Sequence, residues 1–166
     1  MADFSTNVHP LGPCPGTLRA LARADRRLYP DPDYLALRDR LASHHGVDAD
    51  RIVVGAGASE LIHRIVSALP GTVLVRDPTF VEYRKSAAAL DREILRARDD
   101  REFLEALPSA SVAFLCHPNN PDGRLHAREF LDEAAELAVS NGTELVLDLA
   151  YAPMCDADVH IPPRAN

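Results

Sequence analysis

The 166 residues are 46% apolar and 26% charged, an ordinary globular mixture, and a chain of this length buries roughly 70% of its unfolded surface, which argues against disorder. A net charge of −7 disfavours nonspecific attraction to nucleic acid or anionic lipid. No run approaches the ~18 apolar residues of a membrane span, and MADFSTNVHPLG has neither a basic start nor an apolar stretch, so neither insertion nor secretion is expected.

The first 32 residues hold Pro10, Pro13, Pro15, Pro30 and Pro32 and read as an extended arm, with a short helix from Thr17 to about Arg27. A second helix follows in DYLALRDRLASHHG. There Tyr34, Leu37 and Leu41 recur at helical spacing, and Gly46 can end the helix. From Arg51 short apolar runs predict strands at 52–54, 72–75, 92–95, 111–116 and 144–149. Helical patterns at 59–69, 80–90 and 126–141 alternate with most of them. Alternation of near-continuous apolar strands with helices predicts an α/β fold, a mainly parallel sheet flanked by helices. The expected organisation is an arm over 1–32, an α/β domain over 33–151 and an irregular tail over 152–166.

In such sheets ligands bind beyond the carboxyl ends of the strands. Four features are expected there, gathered at one edge: GAGASE at 55–60, DPTF at 77–80, HPNNPDG at 117–123, and Asp148 with Tyr151. In GAGASE small residues let a backbone approach a ligand, and free amides at a helix start favour an anion such as phosphate. The same segment also fits a plain tight turn. A third reading is a nicotinamide-dinucleotide fingerprint, since Asp77 lies twenty residues after Gly57, although Glu60 stands where that motif has its third glycine. Asp148 closes an apolar strand expected to be central and buried, where a carboxylate needs a partner. A protonated ring nitrogen or a nearby amide could each serve. Phe80 suits either ring stacking or core packing, and Asn120 either a phenolic oxygen or a turn. Cys14, Cys116 and Cys155 form neither a metal-ligand spacing nor a disulfide framework, which fits a reducing cytoplasm, and no metal is expected.

Together HPNNPDG, PTFVEY, GASE and LDLAY resemble the cofactor-binding half of fold-type-I pyridoxal-phosphate (PLP) enzymes, the class I/II aminotransferases. The likeness is greatest to the branch of histidinol-phosphate aminotransferases and threonine-phosphate decarboxylases, the latter belonging to cobalamin synthesis. DFSTNVHPLGP and YPDPDYLALRDRLASHHGV resemble that branch's arm and first helices, and NNPDG leans toward the decarboxylases. The resemblance implies that Ala58 and Ser59 hold the cofactor phosphate and that Phe80 stacks on the ring. It implies that Asn120 and Tyr151 bond the phenolic oxygen and that Asp148 pairs with the pyridinium nitrogen. It also implies that Tyr29 reaches the phosphate of a second subunit, in a homodimer, and that Asn7 faces an amino-acid phosphate substrate. A tight turn is implied at Asn120–Pro121, where a cis bond is expected; cis costs an X–Pro bond only about 0.5–1 kcal/mol.

Some positions depart from the pattern. Leu149 stands where the family often has an acidic residue, and Asp122 where it has threonine. The family's Schiff-base lysine lies well beyond the aspartate, whereas Lys85, the only lysine, falls in the helix after PTF. The tail CDADVHIPPRAN reads like a chain cut short or shifted in frame. The expectation is therefore a cofactor-binding portion without catalytic activity of its own. The other expectations are a nucleotide-dependent oxidoreductase, and a noncatalytic remnant or a subunit pairing with a separate C-terminal half.

Overall fold

The computed structural model describes residues 11–163. The chain divides into two compact units, Met1–Val54 and Gly55–Asn166. Asn7 lies outside the described residues.

In the first unit, α1 spans Pro15–Arg23, a little shorter at its end than the pattern predicts. Proline suits a helix start, because the amide it lacks has no intrahelical partner there. Helix α2 spans Leu35–His45 and ends as expected at Gly46, whose φ of 63° is the left-handed conformation that glycine adopts without strain. Arg38 on α2 donates from Nε and Nη2 to the carbonyl of Ala49, at 3.0 and 2.7 Å. The expected strand at 52–54 does not form. An apolar run becomes a strand only where a ladder takes its backbone groups, and Ile52–Val54 lies outside the sheet with Val53 63% exposed.

The second unit is the predicted α/β layer structure. Its order is α3 (Ala58–Ala68), β1 (Val73–Arg76), α4 (Glu82–Ala88), β2 (Ile94–Ala97), α5 (Asp100–Ala106), β3 (Val112–Cys116), α6 (Arg128–Asn141) and β4 (Glu144–Asp148). The sheet order is β2-β1-β3-β4 and every pairing is parallel. Strand residues alternate between two cores, as the period of two requires. Leu74, Ala113 and Leu115 face Phe103 of α5 and Phe130, Leu131 and Ala134 of α6. Val73, Val75, Val112, Phe114 and Cys116 face Ile62 and Val66 of α3 and Tyr83 and Ala87 of α4. Strands β1 and β3 are buried throughout, which explains the apolar runs Val73–Val75 and Val112–Cys116.

Helix α5 is not among the elements predicted from periodicity. Its signal is local: the Asp99 side chain accepts from the Glu102 amide at 2.8 Å, while Glu102 reaches back to the Arg98 amide at 2.9 Å. This variant of the capping box, in which Glu102 reaches the residue before the N-cap, satisfies two amides at the helix start. A seven-residue helix with one buried residue, Phe103, carries little periodicity to read.

Candidate functional site

Strands β1, β3 and β4 are parallel neighbours, so the segments that follow them emerge at one sheet edge. They are the Asp77–Val81 loop with Phe80, the His117–Ala127 loop with Asn120, and Asp148 with the turn to Tyr151. Hydrogen bonds join them. The His117 amide donates to the Asp148 carbonyl at 2.9 Å, and Thr79 Oγ1 donates to Asn119 Oδ1 at 2.9 Å. The bonds Asp77–Pro78, His117–Pro118 and Asn120–Pro121 are cis, the last as expected.

Asp148 departs from the expectation in one respect. Strand β4 is one of the two edge strands, and Asp148 is half-buried, not buried. Each of its carboxylate oxygens is held. Oδ2 accepts from Tyr83 Oη at 2.7 Å, and Oδ1 accepts from the Ala150 amide at 3.0 Å. A carboxylate has about four acceptor positions, so this arrangement fixes its direction and leaves capacity for a further donor.

Tyr83 is the site residue that the sequence reading did not single out. It is fully buried, its ring stacks on Phe114 at 4.8 Å and 11°, and it meets Phe80 edge-on at 5.8 Å. Burial first, and then the charge of Asp148, push its phenol far above the ordinary range, so the hydroxyl keeps its proton and donates it. Burial likewise pushes the Cys116 thiol up, which leaves it a packed, protonated group and no nucleophile.

Ala58 packs, like Phe80, on the apolar layer that contains Tyr83 and Phe114, while Ser59 is exposed in the first turn of α3. The first amides of a helix have no intrahelical partner, and the Leu61 amide is the first to reach back, to Gly57 at 3.3 Å. The amides of Ala58 and Ser59 precede it and are of the kind that bind an anion. A Cβ at Gly55 would meet the side-chain ends of Glu60 and Leu61, which would have to shift to admit it.

The dinucleotide reading is not favoured. GAGASE follows no strand of the sheet, so the strand–turn–helix context of that fingerprint is missing. Glu60 has folded back so that Oε2 accepts the Ala56 amide at 2.7 Å. Asp77, the residue that would meet a ribose, is engaged by Arg96 and lies 3.6 Å from Arg84 Nε.

A second polar network stands behind the loops. Arg76, buried at the end of β1, donates to Asp100 Oδ1 at 2.7 Å, and Arg124 donates to Oδ2 at 2.7 Å. His126 Nδ1 lies 3.7 Å from the same carboxylate. Burial, helped by the guanidinium of Arg76, outweighs the pull of the Asp100 charge toward imidazolium, and the pKa of His126 is pushed down to about 4. It is neutral near pH 7. Tyr29 is 98% exposed in the first unit. Among the described residues no group of three or more His, Cys, Asp or Glu is arranged to hold a metal.

An anchored carboxylate, an asparagine and an aromatic ring thus stand beyond the carboxyl ends of a parallel sheet, where ligands bind in α/β folds. The model of aminotransferases class I and II matches residues 1–165, and the chain belongs to that family. It is 36% identical over 165 residues to threonine-phosphate decarboxylase of Salmonella typhimurium, covering 91% of this chain and 45% of that protein. It is 30% identical over 172 residues to histidinol-phosphate aminotransferase 1 of Archaeoglobus fulgidus, covering 97% and 53%. Among solved structures it is similar to the histidinol-phosphate aminotransferase of Sinorhizobium meliloti in complex with pyridoxal-5'-phosphate. There the TM-score is 0.84 at 27% identity, over 95% of this chain and 46% of the other. The chain thus spans about half the length of the relatives it matches.

Proposed function

We propose that this chain is the pyridoxal-phosphate-binding portion of an aminotransferase or decarboxylase acting on a phosphorylated amino acid, in the cytoplasm. Family membership and the PLP complex of the Sinorhizobium neighbour support the cofactor. Threonine-phosphate decarboxylase among the relatives supports the decarboxylase side, and with it a place in cobalamin synthesis; the histidinol-phosphate enzymes support the aminotransferase side.

The observation that carries the reading is the Asp148 carboxylate, directed by Tyr83 at 2.7 Å and by the Ala150 amide at 3.0 Å beside a ring-presenting loop. These groups fit the cofactor's parts. Asp148 holds a proton on a pyridine nitrogen, because an adjacent anion favours the charged ring. Phe80 covers one ring face and excludes water from it. Asn120 and Tyr151 direct the phenolic oxygen, and the Ala58 and Ser59 amides hold the phosphate. When bound, pyridoxal phosphate supplies an electron sink for the α-carbon of an amino acid. Tyr29 and Asn7, on the arm over 1–32, act on the phosphate and the substrate in a homodimer, with the cofactor-binding segment over 33–151 and the tail over 152–166. A separate chain carrying a C-terminal half is the other partner this reading admits.

Lys85 does not supply the covalent anchor in this 166-residue chain. It lies on α4 two residues from Tyr83, and residues two apart do not share a helix face. Its Nζ donates to Glu82 Oε1 at 2.9 Å on the exposed side. The expected outcome is noncovalent PLP binding without transamination or decarboxylation. Borohydride reduction of the PLP-treated protein followed by peptide mass spectrometry tests this. A stoichiometric pyridoxyl adduct on Lys85 together with turnover overturns it.

A further inference from the structure

Asn119 and Asn120 are sequence neighbours with different surroundings: Asn120 is half-buried at the site, and Asn119 is buried. The Asn119 carboxamide uses both its ends. Its Oδ1 accepts from Thr79 Oγ1 at 2.9 Å, and its Nδ2 donates to the Pro78 carbonyl at 3.0 Å and to Asp122 Oδ1 at 2.7 Å. Its backbone meanwhile closes its own loop, donating to the Arg124 carbonyl at 2.8 Å and accepting from the Gly123 amide at 2.7 Å. Among the described residues, the bonds to Thr79 and Pro78 are the hydrogen bonds that join the Asp77–Val81 loop to the His117–Ala127 loop. The residues they hold, Pro78 and Thr79, immediately precede Phe80.

We propose that Asn119 is a positioning residue that staples the Phe80 loop to the Asn120 loop, fixing a ring-face contact and an in-plane hydrogen bond relative to one another. The ligand half of this inference rests on the cofactor reading above. A planar ring stacked by one loop and hydrogen-bonded at its edge by another tolerates only about 0.5 Å of error between them. The sheet enforces register between β1 and β3 as far as Val75 and Phe114, and the loops run beyond it. Asparagine suits the position because it offers an acceptor and two donors from one short planar group. Aspartate would remove both donors and set a charge against Asp122, and alanine would leave Thr79, Pro78 and Asp122 without this partner. Asp122, standing where the family pattern has threonine, completes the staple. Burial raises its pKa, but the hydrogen bonds from Asn119 and the Arg124 amide prevail and keep it below the ordinary value, as an acceptor.

The test uses the full 166-residue chain as wild type, Asn119→Ala and Thr79→Val, the last cutting one staple bond from the other side. In ligand-free protein, hydrogen–deuterium exchange should quicken in both loops in both variants, with β1, β3 and α6 unchanged. PLP affinity should fall about tenfold with loss of the bound cofactor's induced circular dichroism, and the double variant should be no worse than Asn119→Ala. Faster exchange confined to residues 117–124, or additive losses in the double variant, overturns the staple. So does wild-type affinity in both variants. Phe80→Ala and Asn120→Ala test the underlying reading separately. If wild type takes up no PLP, or these two bind it unchanged, the cofactor reading fails and with it the ligand half of the inference. The exchange data then still decide whether the loops are coupled through Asn119.

Discussion

At the scale of single residues, the site depends on how a carboxylate at a sheet edge is kept in one direction. Tyr83 does this from a helix 65 residues earlier, its hydroxyl on Asp148 and its ring between Phe114 and Phe80. Tyr83→Phe removes only the hydroxyl and keeps both ring contacts. Hydrogen bonds to charged groups contribute about 1.5–3 kcal/mol, so the melting temperature should fall by several degrees, and PLP affinity by roughly tenfold as Asp148 loses its fixed direction. A fluorescence titration beside a thermal melt checks this. Unchanged affinity in Tyr83→Phe would remove the role given to the hydroxyl. Phe80, Asn120 and Asp148 are legible in the sequence because each follows an apolar run within a short motif. Tyr83 is not, because an aromatic on an apolar helix face looks like core until its partner across the sheet is known.

At the scale of elements, the parallel order could be read from β1 and β3, whose apolar runs are buried on both faces. Two segments differ from that reading. Helix α5 is too short to show a period and announces itself only through the Asp99–Glu102 capping box. Residues 52–54 have strand composition, yet composition cannot supply a ladder, and this sheet does not include them. The loop between β3 and α6 carries its own titration behaviour. His126, 5% exposed, is neutral in the fold with a pKa of about 4 against an ordinary 6.5. Unfolded chains therefore bind more protons between these values, so stability is full above about pH 6.5 and declines as pH falls toward 4. The loss is on the order of 3 kcal/mol, at about 1.4 kcal/mol for each pH unit. His126→Gln should flatten this part of a plot of melting temperature against pH. An unaltered slope in that variant would assign the acid sensitivity to other groups.

At the scale of the whole molecule, the described first unit has several exposed apolar side chains, among them Leu18, Leu21, Leu28 and Tyr29. Where such side chains form a contiguous surface they mark an interaction site or an aggregation liability. With the arm's proposed role across a subunit boundary, this exposure predicts a dimer by light scattering; a strictly monomeric, well-folded chain would contradict that assembly. The central claim is narrower and concerns the edge where β1, β3 and β4 end. Titration of the purified 166-residue chain with PLP, in parallel with Asp148→Asn, tests it most directly. The account predicts saturable binding by the wild type with the ring nitrogen protonated in its absorption spectrum, and a loss of both in Asp148→Asn. No saturable binding by the wild type, or equal binding and an equal spectrum in the variant, would contradict it.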